Sequence, residues 1–171
     1  MSALTRRLLP LLLTLGLALP AAAASLTTFD GSPADITDFT GQGQWTIVKI
    51  WASDCTVCNQ EAHAYVAFHD KHQADNARML GISVDGLDNL ADAQGFVSEH
   101  ALNYPNLVVD WEGASRLFYQ LTGTPLNGTP AFLAFDPSGE LVAQQVGAVP
   151  VEILEVFIAD SGKESKEPTG G

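Results

Sequence analysis

Residues 45–61 read Trp-Thr-Ile-Val-Lys-Ile-Trp-Ala-Ser-Asp-Cys-Thr-Val-Cys-Asn-Gln-Glu, and they combine two structural signals with the two cysteines of the chain. Residues 45–51 are rich in β-branched and aromatic side chains, which predicts a buried strand. From Cys58 to about Gln73, apolar residues recur near helical spacing and predict a helix. The cysteine pair, Cys55 and Cys58, therefore lies where a strand gives way to a helix.

That position favours thiol chemistry. The N–H groups at the start of a helix and its macrodipole stabilise an anion, so they raise the thiolate fraction of a cysteine placed there. A second cysteine about one helical turn further on can resolve a mixed disulfide formed by the first. We therefore assign Cys55 as the exposed nucleophile and Cys58 as the buried resolving cysteine.

A structural or metal-binding role fits the pair less well. A bridge across two intervening residues closes almost no loop and contributes little to stability. A zinc site needs two further ligands, and His63, on the same helix, completes only a poor one. Copper(I) accepts thiolate ligands, so a copper-binding metallochaperone-like fold stays open as an alternative. We predict no metal and no cofactor other than a redox-active Cys55–Cys58 disulfide.

The rest of the chain alternates strands and helices. The order is β–α–β–α–β–α–β–β–α, which predicts an α/β fold, a three-layer α/β/α sandwich with a mixed β-sheet. The predicted strands are 45–51, 79–84, 106–109, 131–135 and 140–146, and the predicted helices are 58–73, 89–100, 114–121 and 151–159.

Both ends of the chain differ from this pattern. Residues 1–24 show two arginines, an apolar run and a closing run of alanines, which predicts a secretory signal peptide cleaved after Ala24. An uncleaved anchor is the alternative, although the apolar run is shorter than the roughly 20 residues of a membrane span. Residues 160–171 lack apolar side chains and are predicted to form a disordered tail. One domain, residues 25–159, remains.

The charge of the chain excludes some partners. The 171 residues carry a formal charge of −12, and loss of Arg6 and Arg7 with the signal peptide leaves six basic against twenty acidic residues, a charge of −14. Such a surface repels nucleic acid and anionic membranes, so we expect no nucleic-acid partner.

Residues 51–61 resemble the active site of the thioredoxin superfamily and are most similar to its exported TlpA/ResA/CcmG-like branch. The similarity extends over nearly the whole chain that follows the signal peptide. Residues 81–85 resemble the second core strand of that branch, 104–110 its inserted segment and 128–133 the start of its hairpin. The resemblance implies a thioredoxin-like fold and thiol–disulfide oxidoreductase activity.

The resemblance also implies roles for individual residues. Pro130 corresponds to the family's cis proline beside the disulfide, and Thr129 would offer backbone hydrogen bonds to a bound substrate. Pro125 follows the same Gly-Thr pair, but a predicted strand follows Pro130 directly. Glu61 would donate or accept a proton during exchange, or it is simply an exposed carboxylate in the first turn of a helix. Trp51 is expected to pack beside the motif, with substrate contact as a secondary role.

Two residues depart from the family pattern. Lys49 stands where thioredoxin has a buried aspartate, and it either points toward the motif and pairs with Glu61 or extends out to solvent, which we favour. Asp54 precedes Cys55 where an aromatic residue is usual, and like-charge repulsion disfavours a Cys55 thiolate. This argues against a strongly oxidising protein.

The expected function is a periplasmic thiol–disulfide oxidoreductase that reduces disulfides of exported proteins, for example in cytochrome c maturation or metal-site assembly. Its partners would be protein disulfides and a membrane-bound thiol electron donor. A disulfide-donating oxidase is the first alternative. A peroxidase needs an isolated cysteine with a threonine and an arginine, a context that Arg78 and Arg116 lack. The histidines His69, His72 and His100 are predicted to lie on the surface.

Overall fold

The structure is a computed structural model that describes residues 26–164. Strands and helices alternate along this range in the predicted order, preceded by two short strands. The strands are β1 Leu26–Thr28, β2 Pro33–Ala34, β3 Trp45–Trp51, β4 Ala77–Ser83, β5 Asn106–Val108, β6 Ala131–Phe135 and β7 Leu141–Val146. The α-helices are α1 Thr56–His72, α2 Leu90–Glu99, α3 Trp111–Thr122 and α4 Val151–Glu164.

The strands form one mixed sheet with the order β2-β1-β5-β4-β3-β6-β7. Strands β3, β4 and β5 run parallel, because helical crossovers connect them, whereas β6 and β7 form an antiparallel hairpin beside β3. The predicted mixed sheet is therefore confirmed. Strand β3 lies near the centre, and all seven of its residues are buried.

Helices cover both faces of β3, as the predicted three-layer sandwich requires. Side chains alternate along a strand, so Val48 and Ile50 point to one face and Ile47 and Trp51 to the other. Val48 and Ile50 pack in a cluster with Phe118 of α3. On the opposite face, Ile47 packs in a cluster with residues of α1 and α4, and Trp51 in one with residues of α1 and α2.

Two helices begin earlier than the sequence predicts, because the side chain of the preceding residue caps each of them. Helix α1 begins at Thr56 rather than Cys58, with Cys55 as its N-cap. Helix α3 begins at Trp111 rather than Ala114, because Oδ1 of Asp110 accepts a hydrogen bond of 2.7 Å from the Gly113 N–H. It ends at Gly123, whose φ of 71° is the left-handed conformation that favours glycine.

The sequence pattern missed strands β1 and β2. They contain three and two residues, too few for a periodicity to show, and their pairing depends on residues distant in the chain. Strand β1 pairs antiparallel with β5, Thr27 lying opposite Val108. A tight turn joins β1 to β2, with the Gly31 N–H donating to the Thr28 carbonyl at 3.0 Å.

The last helix extends further than predicted. Helix α4 continues to Glu164, past the predicted end at Ala159 and into the segment predicted as a tail, because extending an existing helix costs far less than starting one. The predicted signal peptide, residues 1–24, and residues 165–171 lie outside the described residues. Among residues 26–164, no helix is both long enough and apolar enough to span a membrane.

Candidate active site

Cys55 and Cys58 form a disulfide at the N-terminus of α1. Cys55 is the N-cap, and its Sγ accepts a hydrogen bond of 3.1 Å from the backbone N–H of Cys58. Cys55 is half-buried, whereas Cys58 is 0% exposed. The same N–H remains in place to stabilise a thiolate on Cys55 once the disulfide opens, and only Cys55 presents surface to an incoming disulfide.

The loop between β3 and α1 is fixed by a carboxylate at the end of the neighbouring strand. Oδ1 of Asp85 accepts hydrogen bonds from the Ser53 hydroxyl at 2.8 Å and from its backbone N–H at 3.1 Å. The Ser83 hydroxyl donates to the other carboxylate oxygen. The residues before the disulfide are thus anchored to the sheet rather than free to move with the substrate.

A second anchor, which the sequence reasoning missed, comes from Asn59. Its side-chain amide donates to the carbonyl of Cys55 at 2.9 Å and to that of Ser53 at 3.0 Å. Its Oδ1 lies 2.9 Å from Nε2 of His100. Because an amide oxygen only accepts, His100 donates this bond. An asparagine just after the second cysteine was the available sequence signal.

The peptide bond between Thr129 and Pro130 is cis, so the choice of Pro130 over Pro125 is confirmed. The carbonyl oxygen of Thr129 lies 3.5 Å from Sγ of Cys55. Pro130 is buried at the start of β6, and Thr129 is half-buried. The structure therefore brings Thr129 and Pro130 against the sulfur predicted to react.

A cleft of about 540 Å³ is lined by residues that adjoin the disulfide and the cis proline in the chain, among them Ser53, Asp54, Gly128 and Thr129. Trp111, the first residue of α3, is 45% exposed and also lines this cleft. Trp111 was not predicted as a site residue, because its distance from the motif in the sequence gave no sign of this proximity. Asp54 is exposed, so water screens its charge.

Lys49 does not extend to solvent, and the prediction that it does is wrong. It is 1% exposed, and its Nζ lies 3.0 Å from Oε1 of Glu61. The ammonium also sits 4.3 Å from the centre of the Tyr65 ring. A lysine on a strand at the centre of a sheet has no nearby edge from which it could reach water. Its ammonium therefore pairs with a group inside the fold.

Trp51 is 0% exposed, so it has no surface for a substrate and the predicted substrate contact is wrong. Its ring stacks on Phe96 at a centroid distance of 4.3 Å. Its indole N–H donates to Oδ1 of Asn106 at 3.2 Å. Trp51 is aromatic core that packs in the same cluster as Cys58, as the primary expectation stated.

Two of the three histidines predicted on the surface are buried. Nδ1 of His69 accepts a hydrogen bond of 3.1 Å from the Met79 N–H of β4, and burial lowers the pKa of His69. His100 is held between Asn59 and Phe96. His69 lies on a covered face of α1, and His100 directly follows the last residue of α2; each finds its partner on another element. His72 is partly exposed.

Two observations bear on the metal and peroxidase alternatives. Within residues 26–164, no three His, Cys, Asp or Glu side chains are grouped so that they could hold a metal ion. Arg78 donates to Gln42 and to the carbonyl of Phe39, and Arg116 pairs with Glu112 on α3. Both guanidinium groups are thus committed to partners other than Cys55.

The disulfide lies at the start of a helix and beside a cis proline, and it joins a half-exposed sulfur to a buried one. This geometry suits disulfide exchange with another molecule. A thioredoxin-like sheet carrying such a pair defines a thiol–disulfide oxidoreductase, and this is the class of protein that the fold and site describe. The chain belongs to the AhpC/TSA family, whose model matches residues 17–144.

Individual relatives agree with this class. The sporulation thiol-disulfide oxidoreductase A of Bacillus subtilis (strain 168) is 26% identical over 131 residues, covering 76% of this chain and 74% of that protein. The fold is similar to that of a thioredoxin-family thiol:disulfide interchange protein from Chlorobium tepidum TLS, with a TM-score of 0.65 and 21% identity over 78% of this chain and 89% of the other. A secreted Mycobacterium tuberculosis disulfide oxidoreductase gives a TM-score of 0.58 at 22% identity over 80% and 94% of the two chains. The resemblance to the thioredoxin superfamily is thereby confirmed.

Proposed function

We propose that this protein is an exported thiol–disulfide oxidoreductase that reduces disulfides in other exported proteins. The observation that carries the proposal is the asymmetry of the disulfide: Cys55 is accessible and capped by the Cys58 N–H, whereas Cys58 is fully buried. An asymmetric pair lets one sulfur meet the substrate and keeps the other for the second step.

The reduced protein would act in two steps. The Cys55 thiolate attacks a substrate disulfide, so that a Cys55–substrate disulfide forms and one substrate sulfur leaves as a thiolate. Cys58 then loses its proton and attacks Cys55, which forms the Cys55–Cys58 disulfide and releases the second substrate thiolate. Two electrons pass from the cysteine pair to the substrate, and a thiol donor of the membrane returns them.

Glu61 is the residue we propose as acceptor of the Cys58 proton. Residues three apart on a helix share a face, which places Glu61 on the face of α1 that carries Cys58. Because Cys58 is 0% exposed, water does not reach its sulfur in this state, and a protein group has to receive the proton. Glu61 is partly buried, so it can exchange that proton with solvent afterwards.

A substrate chain would lie in the cleft beside Cys55. The Thr129 backbone and Pro130 form one wall of the approach to the sulfur, and Trp111 offers an exposed aromatic surface in the same cleft. An extended peptide could pair with the backbone before β6, as other peptide-binding proteins pair with an open strand edge.

The direction of electron flow depends on how strongly the protein stabilises the Cys55 thiolate. A backbone N–H bonded to the thiolate favours the reduced form and hence an oxidase. The Asp54 carboxylate, next to Cys55 in the chain, opposes this through like-charge repulsion and so favours a reductase. The N-cap bond is therefore the specific observation that keeps the disulfide-donating oxidase as the second candidate.

The reduction potential of residues 25–171 separates the two candidates. We expect a value of about −250 mV or lower, close to that of thioredoxin, from equilibration with glutathione or dithiothreitol followed by thiol alkylation. A value near that of DsbA, about −120 mV, would contradict the proposed direction and make the protein an oxidase.

The proposed location is the periplasm or an equivalent exported space, reached through a signal peptide at residues 1–24. The apolar run that ends in alanines supports this, and so does the printed description of the Mycobacterium tuberculosis relative as secreted. Mass spectrometry of the exported chain should find Ser25 as its first residue. A chain that begins at Met1 would support the anchor instead.

A further inference from the structure

Lys49 is a buried charge at the centre of the sheet. It lies on the same face of β3 as Ile47 and Trp51, since side chains alternate along a strand. Ile47 belongs to the cluster formed with Tyr65, and Trp51 to the cluster that includes Cys58. The lysine side chain thus occupies the layer between these two apolar clusters, beneath the first turns of α1.

Burying this ammonium is costly. Moving an ion out of water costs several kcal/mol even after relaxation, and apolar replacements of buried ion pairs are often neutral or stabilising. Burial lowers the pKa of Lys49, and the Glu61 carboxylate opposes that shift. The Tyr65 ring offsets part of the cost through a cation–π contact. Because the fold does not need a charge here, its presence points to a role in the chemistry.

The surroundings of Glu61 show what that role is. Within residues 26–164, Lys49 is the one cationic side chain in contact with Glu61. The Glu61 charge also acts on two tyrosines, Tyr65 of α1 and Tyr104, which precedes β5. Burial and the Glu61 charge raise the pKa of both tyrosines, so both are neutral at physiological pH. Among the described residues, Lys49 thus supplies the positive charge that faces the partly buried Glu61 carboxylate.

We propose that Lys49 is a positioning residue whose ammonium holds the Glu61 carboxylate in place as the acceptor of the Cys58 proton. The proposal rests on the proposed function, which assigns Cys58 and Glu61 to the second exchange step. In that step the proton passes from the Cys58 thiol to the Glu61 carboxylate, and the Cys58 thiolate then attacks Cys55. Lys49 takes no part in this proton transfer itself.

The test is the pH dependence of that step in single turnover. The reduced protein reacts with a dithiobis-nitrobenzoate reagent to give a Cys55 mixed disulfide, and release of the second thionitrobenzoate reports attack by Cys58. Rates are measured from about pH 4 to 9, so that ordinary carboxyl and thiol groups titrate within the range. The variants are Lys49→Met, Glu61→Gln and the double variant.

Lys49→Met is expected to move the acid limb of the profile to higher pH by about 1–3 units, the usual effect of losing an opposite charge within hydrogen-bond distance. The limb moves to higher pH because a carboxylate without its cation accepts a proton at higher pH. As the pH is lowered, it therefore stops acting as a base earlier than in the wild type. Glu61→Gln should remove this limb, and adding Lys49→Met to it should change the profile no further.

Lys71→Met is the matched control, since Lys71 also pairs with a glutamate but is 62% exposed, and its profile should coincide with that of the wild type. A coincident profile for Lys49→Met, or a shift that persists in the Glu61→Gln background, would overturn the proposal. If Lys49→Met does not fold, Lys49→Gln replaces it, with the folded fraction measured by circular dichroism. Failure of the wild type to release the second thionitrobenzoate would instead overturn the proposed function.

Discussion

Replacing Cys58 by serine should stop multiple turnover and leave substrate proteins attached to the chain through Cys55. The accessible sulfur can still attack, but the buried thiol that releases the substrate is gone. Positioned groups reach effective concentrations of about 10⁵ M or more, whereas external thiols are present at about millimolar levels. We therefore expect turnover to fall by at least about a thousandfold, measured by reduction of a protein disulfide with an excess of electron donor.

The trapped complexes identify the nucleophile directly. Cys58→Ser should give bands on non-reducing gels that disappear with dithiothreitol, and peptide mapping should locate the linkage at Cys55. Cys55→Ser is the matched control, because its remaining thiol is 0% exposed and should trap nothing. Trapping by Cys55→Ser, with none by Cys58→Ser, would reverse the roles of the two cysteines.

The parts of the fold that sequence alone predicts are those defined by local patterns. Strand β3, with its seven residues, begins and ends where the β-rich run does, and β6 follows Pro130 as expected. Both elements are marked by their own residues: a run rich in β-branched and aromatic side chains in β3 and a short apolar run in β6. A strand followed by Cys-x-x-Cys and a helix predicted the cysteine pair, whereas Thr129 and Pro130 joined the predicted site only through the resemblance to the thioredoxin superfamily.

The errors concern residues whose environment is set by distant parts of the chain. The period of two along β3 puts Lys49 on the face of Trp51, but it does not show whether a carboxylate covers that face. The partner, Glu61, is on a different element. His69 and His100 have polar neighbours in the sequence, yet both are buried. His69 accepts a hydrogen bond from the Met79 N–H, and His100 donates one to the side-chain oxygen of Asn59. Burial of a polar side chain depends on such tertiary hydrogen bonds.

Substituting alanine for Gly81 in β4, the one glycine within the seven described strands, should strongly destabilise the protein. A Cβ at this position would overlap the side-chain oxygen of Asn106 and come within 2.9 Å of Nε1 of Trp51. Asn106 cannot simply turn away, because its oxygen accepts from the buried indole and its amide donates to the Tyr104 carbonyl at 2.8 Å. The absent side chain therefore lets Trp51 reach its hydrogen-bond partner beside the redox motif.

Two costs add in this variant. Overpacking of a well-filled core costs about 1–3 kcal/mol, and leaving a buried N–H without its partner costs a further 1–3 kcal/mol or so. We expect the free energy of unfolding of the oxidised protein to fall by about 2–5 kcal/mol, measured by urea denaturation followed by tryptophan fluorescence. Gly95→Ala is the control: nothing lies within 4 Å of its Cβ in helix α2, so it should stabilise the protein by up to about 1 kcal/mol. If Gly81→Ala lowers the free energy of unfolding by less than about 1 kcal/mol, Trp51 and Asn106 rearrange together to admit the new side chain. The indole hydrogen bond then does not hold Trp51, the last residue of β3, in place.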